Sequence, residues 1–220
     1  MCASVLRTPL TDALARRFRV VLASGSPRRK ELVDRLGIEY EIIPSAFAED
    51  LDKAQFATPR DYVLENATQK ARDVYQRIKG GSARPLFVIG SDTVVVDASG
   101  AILEKPASRG DAAATLKSLS GKANTVHTGV CLIVDAAAAG QPLLSQAVES
   151  TEVVFGELDD DLVDAYVATG EPMDKAGSYA YQGMACFFVK EIRGDYYNVV
   201  GFPCARFHQM LLALHQQGAI

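Results

Sequence analysis

The chain has little of what metal, redox and membrane functions usually require. Its four cysteines, Cys2, Cys131, Cys186 and Cys204, are scattered along 220 residues with no C-x-x-C pair. That usage fits reduced thiols of an intracellular protein, and buried packing is their expected role. The three histidines, His127, His208 and His215, lack metal-ligand spacing and read as structural or exposed. No G-x-x-x-x-G-K-[ST] phosphate loop, G-x-S-x-G elbow or H-E-x-x-H motif occurs. No apolar run approaches the ~20 residues needed to cross a bilayer, and no signal-peptide centre is evident, so a soluble, cytoplasmic protein without a membrane partner is expected. A formal net charge of −4 leaves no basic excess, which argues against broad nucleic-acid binding but not against a local basic pocket.

What is present begins with Ser24-Gly25-Ser26-Pro27-Arg28-Arg29. Val20 to Ala23 reads as a buried strand, and Leu32, Val33 and Leu36 recur at helical spacing until Gly37. The six residues therefore join a strand to a helix N-terminus. Ser26 suits the cap, Pro27 the first helical position, and the free amides ahead favour an anion. Arg28 and Arg29 can grip phosphate oxygens through paired N–H donors, and Gly25 lets a ligand approach the backbone.

The remaining pattern alternates strands and helices. Glu39 to Pro44 reads as a strand, followed by a polar loop with Glu49, Asp50 and Asp52. Thr58-Pro59 opens a long helix to Ile78, and Leu86 to Gly90 is a buried strand ending at Asp92. Thr93–Val96 and Ile102–Leu103 suggest a hairpin. A helix over 109–119, strands over 126–134 and 147–155, and a helix capped by Asp159 follow, with 135–142 a surface loop. Residues 186–189 and 196–200 read as paired strands around Gly194-Asp195, ahead of a helix from about Cys204. The order fits an α/β domain with a long mixed β-sheet flanked by helices. The first 18 residues read as an extension whose Leu10, Ala13, Leu14 and Phe18 form one side of a surface helix, in preference to a transit peptide. Residues 19–220 then form one domain.

Four further segments accompany the first in order: Glu65-Asn66-Ala67-Thr68-Gln69-Lys70-Ala71, Gly90-Ser91-Asp92-Thr93, Leu103-Glu104-Lys105-Pro106, and Asp174 to Gly183. Together, over roughly residues 19–217, they resemble the Maf family of house-cleaning nucleoside triphosphate pyrophosphatases. The resemblance implies a single elongated two-lobed domain, similar to inosine triphosphate pyrophosphatases, with a cleft between the lobes. It also implies that Lys70 and Lys105 face phosphate, where spacing alone would leave Lys70 a solvated helix residue. Ser24 would contribute its hydroxyl or backbone beside the phosphates.

Asp92, at the end of a buried strand, can hold a metal or activate water. Glu49 is the second carboxylate; a solvated loop acid is the equal alternative. With Asp92 it would complete an Mg²⁺ site, or an Mn²⁺ site, in which phosphates supply the other ligands. Gln182 can read a base edge or orient a phosphate, with Tyr179 supporting it by stacking or a hydroxyl contact. The Asp-Lys-Ala-Gly, Tyr-x-x-Gln pattern resembles the branch acting on dTTP and UTP. Ser91 replaces the family's common alanine, and Ala180-Tyr181 its more usual Gly-Ile. The expected partner is a nucleoside triphosphate, and a homodimer stays open. The rivals are a nucleotide sensor acting in division control through a partner, and a general acid phosphatase.

Overall fold

A computed structural model describes residues 7–135 and 141–220, so part of the expected 135–142 loop, and Cys2, lie outside the described residues. Among the described residues seven strands form one mixed sheet: β1 (Arg19–Leu22), β2 (Glu41–Ile42), β3 (Leu86–Val96), β4 (Ile102–Leu103), β5 (Ala123–Val134), β6 (Leu143–Phe155) and β7 (Val189–Arg193). Their order is β2-β1-β3-β5-β6-β7, with β4 pairing β3 off that path. β1 lies parallel to both β2 and β3, whereas the β3–β4 and β6–β7 pairs are antiparallel. The chain divides into two compact units. One contains the residues up to Asp92, Thr128–Val148 and Gly201–Ile220; the other contains Thr93–His127 and Glu149–Val200.

In the first unit, α1 (Pro9–Arg17) is held at its start by a reciprocal Thr8/Thr11 capping box and packs on α7 (Cys204–Gln216). α2 (Pro27–Arg35) starts at the Ser26 cap and stops before Gly37, whose φ of 66° suits a residue without Cβ. α3 (Pro59–Ile78) has the expected limits because Thr58 accepts from the Asp61 N–H and Pro59 occupies the first turn. Its Ala67, Ala71 and Val74 pack with Val21, Ala23, Val88, Cys131 and Ile133 in a core cluster. α3 approaches the sheet closely: a Cβ at Gly90 would lie 2.2 Å from the Ala67 carbonyl oxygen, and one at Gly129 2.6 Å from that of Val63. Glycines at these two positions let the helix backbone rest directly on the strands.

The second unit has its own core around Val95, Leu116, Val126, Phe155, Val163, Tyr166, Tyr179 and Phe188. It includes α4 (Arg109–Leu119) and α5 (Asp160–Ala168), the latter capped by Asp159, which accepts from the Leu162 N–H. The expected strand pair over 186–189 and 196–200 does not form. Cys186 sits in a 3₁₀ turn (Met184–Phe187), β7 pairs with β6, and 196–200 is a short helix, α6 (Tyr196–Val200). Tyr197 N–H donates to Asp195 Oδ1 at 2.8 Å, while Asn198 Nδ2 donates to the Val126 carbonyl and Thr151 Oγ1, each at 3.0 Å. These contacts hold a helical turn in a segment whose aromatic and β-branched residues favour a strand, so tertiary bonding overrides propensity.

β2 is shorter than the expected 39–44 strand. The strand bearing Asp92 runs on to Val96; what stops near Asp92 is pairing with β1, whose last register is Leu22↔Ile89. Among the described cysteines only Cys131 is fully buried, its thiol pushed up to about 12 by burial, whereas Cys204 is partly exposed and Cys186 exposed.

Candidate active site

The first unit gathers most of the sequence-derived candidates. Ser26 caps α2 by accepting from the Arg29 N–H at 3.4 Å. Ser24 Oγ accepts from the Ser26 N–H at 3.3 Å and from an Arg29 terminal nitrogen at 2.6 Å. Arg29 Nε donates to the Gly201 carbonyl at 3.1 Å. Arg29 is therefore a buried brace that ties the Ser24–Ser26 turn, through one terminal nitrogen, to the Gly201 carbonyl, through Nε. Burial pushes its pKa down, and the neighbouring Asp92 and Glu49 carboxylates act the other way. Arg28, on the first turn of α2, is half-buried.

Lys70 is the centre of the arrangement. Its Nζ lies 2.6 Å from Glu49 Oε2 and 2.8 Å from Asp92 Oδ1, and the residue is only 9% exposed. This contradicts a solvated helix lysine and brings together two carboxylates separated by 43 positions in sequence (92 − 49). The means are visible locally. Asp92 has the same strand-face parity as Gly90, against which α3 packs, and Lys70 reaches it from that helix. Glu49 arrives on the loop after β2 with a φ of 57°, a left-handed conformation uncommon for a residue with a Cβ. Such backbone strain clusters at functional sites.

Asp73, which the sequence reading passed over, anchors that loop. Its Oδ2 accepts from Ser45 Oγ at 3.0 Å, Ala46 N–H at 2.8 Å and an Arg77 terminal nitrogen at 3.0 Å. Burial pushes the Asp73 carboxyl up, but these donors and the Arg77 charge outweigh it and hold the group below its usual value. Nothing in the sequence marks Asp73, because an acid on an amphipathic helix reads as solvated.

The second unit holds Lys105 and Gln182, both exposed. The Leu103–Pro106 segment is joined to the Asp174–Gly183 segment by the Gly177 N–H donating to the Glu104 carbonyl at 3.2 Å. Lys175 and Asp174 form an ion pair. Gln182 lies in a turn closed by the Gly183 N–H donating to the Ala180 carbonyl at 2.9 Å. Tyr179 does not have the supporting role expected of it. It is 5% exposed, packs edge-on to Phe155, and donates its hydroxyl to Asn124 Oδ1 at 2.8 Å, so it is a core residue. Tyr181 instead packs edge-on to Tyr196 at 5.5 Å.

Among the described residues, no group of three or more His, Cys, Asp and Glu side chains is arranged to hold a metal ion. Two carboxylates converging on one cationic atom are nevertheless an oxygen-rich cation site that could be completed by phosphate and water oxygens.

The family described as Maf-like protein matches residues 19–214. A Thermococcus kodakarensis protein named dTTP/UTP pyrophosphatase is 49% identical over 184 residues, covering 84% of this chain and 90% of that protein. A Bacillus anthracis protein of the same name is 43% identical over 188 residues, 86% of this chain and 91% of that protein. A human protein named probable bifunctional dTTP/UTP pyrophosphatase/methyltransferase is 45% identical over 200 residues, 90% of this chain but only 32% of the longer human chain.

Proposed function

The chain belongs to the Maf-like protein family, and from that premise we propose that it hydrolyses dTTP and UTP to the nucleoside monophosphate and pyrophosphate. The observation that carries the reading is the convergence of Lys70, Glu49 and Asp92 in the unit that also holds the Ser24–Arg29 turn. Cations beside a capped helix N-terminus suit a triphosphate, and a carboxylate pair suits either a hard cation or an attacking water.

In this reading water attacks the α-phosphorus, its oxygen bonds to that phosphorus, and the bond to the bridging oxygen breaks with pyrophosphate leaving. Asp92 takes the proton of the attacking water. Arg28 and Lys70 stabilise charge developing on the phosphates, while Arg29 holds the turn on which they rest. Lys105 is assigned to phosphate charge and Gln182 to the base, and both roles rest on their match to the family's motifs. Glu49 and Asp92 would hold a divalent cation, Mg²⁺ or Mn²⁺, which when bound supplies Lewis-acid neutralisation of phosphate charge. A cytoplasmic setting suits an enzyme acting on nucleotide pools; no helix among the described residues is long and apolar enough to cross a membrane.

A nucleotide panel with products identified by phosphorus NMR tests the assignment. Pyrimidine triphosphates should give pyrophosphate and monophosphate, and in ¹⁸O-labelled water the label should enter the monophosphate. Orthophosphate release would point to a phosphatase, and tight binding without turnover to a sensor.

A further inference from the structure

We propose that Lys70 is an internal counter-cation holding the place of the divalent metal, so that metal loads onto Glu49 and Asp92 only together with nucleotide. This rests on the reading of those carboxylates as the metal pair. The Lys70 ammonium makes close contacts with an oxygen from each carboxylate, 2.6 Å to Glu49 and 2.8 Å to Asp92. Two carboxylates brought to one point repel unless a cation lies between them, and in this state that cation is Lys70.

A divalent ion seeks the same oxygens and repels the ammonium, so the two cations compete for one position. For metal to enter, Lys70 has to leave, and a largely buried ammonium needs somewhere to go. One turn earlier on α3, Asn66 is 1% exposed and its Oδ1 has no hydrogen-bond partner. Residues four apart share a helix face, so Asn66 offers the departing ammonium an acceptor. A neutral amide supplies no compensating charge, whereas nucleotide phosphate does. The exchange therefore completes when phosphate arrives to receive Lys70. The Glu49 side chain is 49% exposed, so nucleotide and solvent cation can reach that carboxylate during the exchange.

The test is Mn²⁺ binding to the full chain, followed by electron paramagnetic resonance, with and without an α,β-methylene analogue of dTTP. Without nucleotide, wild type should bind Mn²⁺ weakly and Lys70→Met about tenfold or more tightly. Lys70→Arg should stay near wild type, and adding Asp92→Asn to Lys70→Met should abolish the gain. Lys70→Gln serves if the methionine variant fails to fold. On wild type itself, the Lys70 ammonium ¹⁵N resonance should move with analogue plus Mg²⁺ and stay in place with Mg²⁺ alone. Equal Mn²⁺ affinity in wild type and the neutral variants Lys70→Met and Lys70→Gln, or an ammonium resonance unmoved by analogue plus Mg²⁺, would overturn the inference while leaving the metal pair intact. If Asp92→Asn and Glu49→Gln left Mn²⁺ binding in the analogue complex unchanged, the metal pair itself would be refuted and the inference with it.

Discussion

Replacing Gly90 with alanine puts a methyl group where the backbone of α3 already lies. The added carbon would sit 2.2 Å from the Ala67 carbonyl oxygen, 2.7 Å from Ala71 Cβ and 2.9 Å from Ala71 N. Ordinary contact begins at 3.4 Å, and all three neighbours are backbone or Cβ atoms, so no rotamer change relieves the overlap. The helix has to retreat by about 1 Å, an overpacking that costs roughly 1–3 kcal/mol. Each kcal/mol lowers Tm by roughly 2–4 °C in a chain of this size. The larger effect should be on turnover, because Lys70 rides on the same helix and reaches its carboxylates at 2.6 and 2.8 Å. Misplacing positioned groups by about 1 Å can cost 10²-fold in rate. Thermal melts and dTTP kinetics on Gly90→Ala should show a modest loss of Tm with a disproportionate loss of kcat. Gly80→Ala, where the new Cβ meets nothing within 4 Å, is the control and should change neither. Wild-type melting and turnover in Gly90→Ala would refute the claim that backbone contact between α3 and β3 sets the position of Lys70.

Two other substitutions address the chemistry. Asp92→Asn keeps the side chain's size but removes its charge and basicity. It should lower kcat for dTTP by at least the equivalent of about 2–4 kcal/mol while nucleotide binding survives, and full activity would remove Asp92 from the mechanism. Gln182→Ala should reduce the ratio of dTTP to purine triphosphate hydrolysis more than it weakens phosphate binding, because a base-reading amide discriminates through groups the wrong base leaves unpaired. An unchanged ratio measured by kcat/KM would show that Gln182 does not read the base.

Much of the fold was legible locally. The Thr58-Pro59 start and apolar stripe of α3, the Ser26 cap of α2 and the Asp159 cap of α5 are short-range signals, and they mark the observed helix starts. The failure at 196–200 has a long-range origin, because the bonds from Asn198 to Val126 and Thr151 come from strands distant in sequence. Tyr179 was misread for a similar reason. An aromatic residue in a glycine-bounded motif looks available to a ligand until Asn124 and Phe155 enclose it.

By itself the sequence determined the starts of the capped helices, the mixed α/β class and the family, because caps, periodicity and ordered motifs depend on neighbours along the chain. Only the tertiary structure decided that Lys70 is a buried ion-pair partner, that Arg29 braces the turn from within, and that Asp73 holds the loop bearing Glu49. Burial and charge pairing depend on which segments the sheet brings together. A lysine on an amphipathic helix has no local signature that tells a solvated ammonium from one closed between two carboxylates.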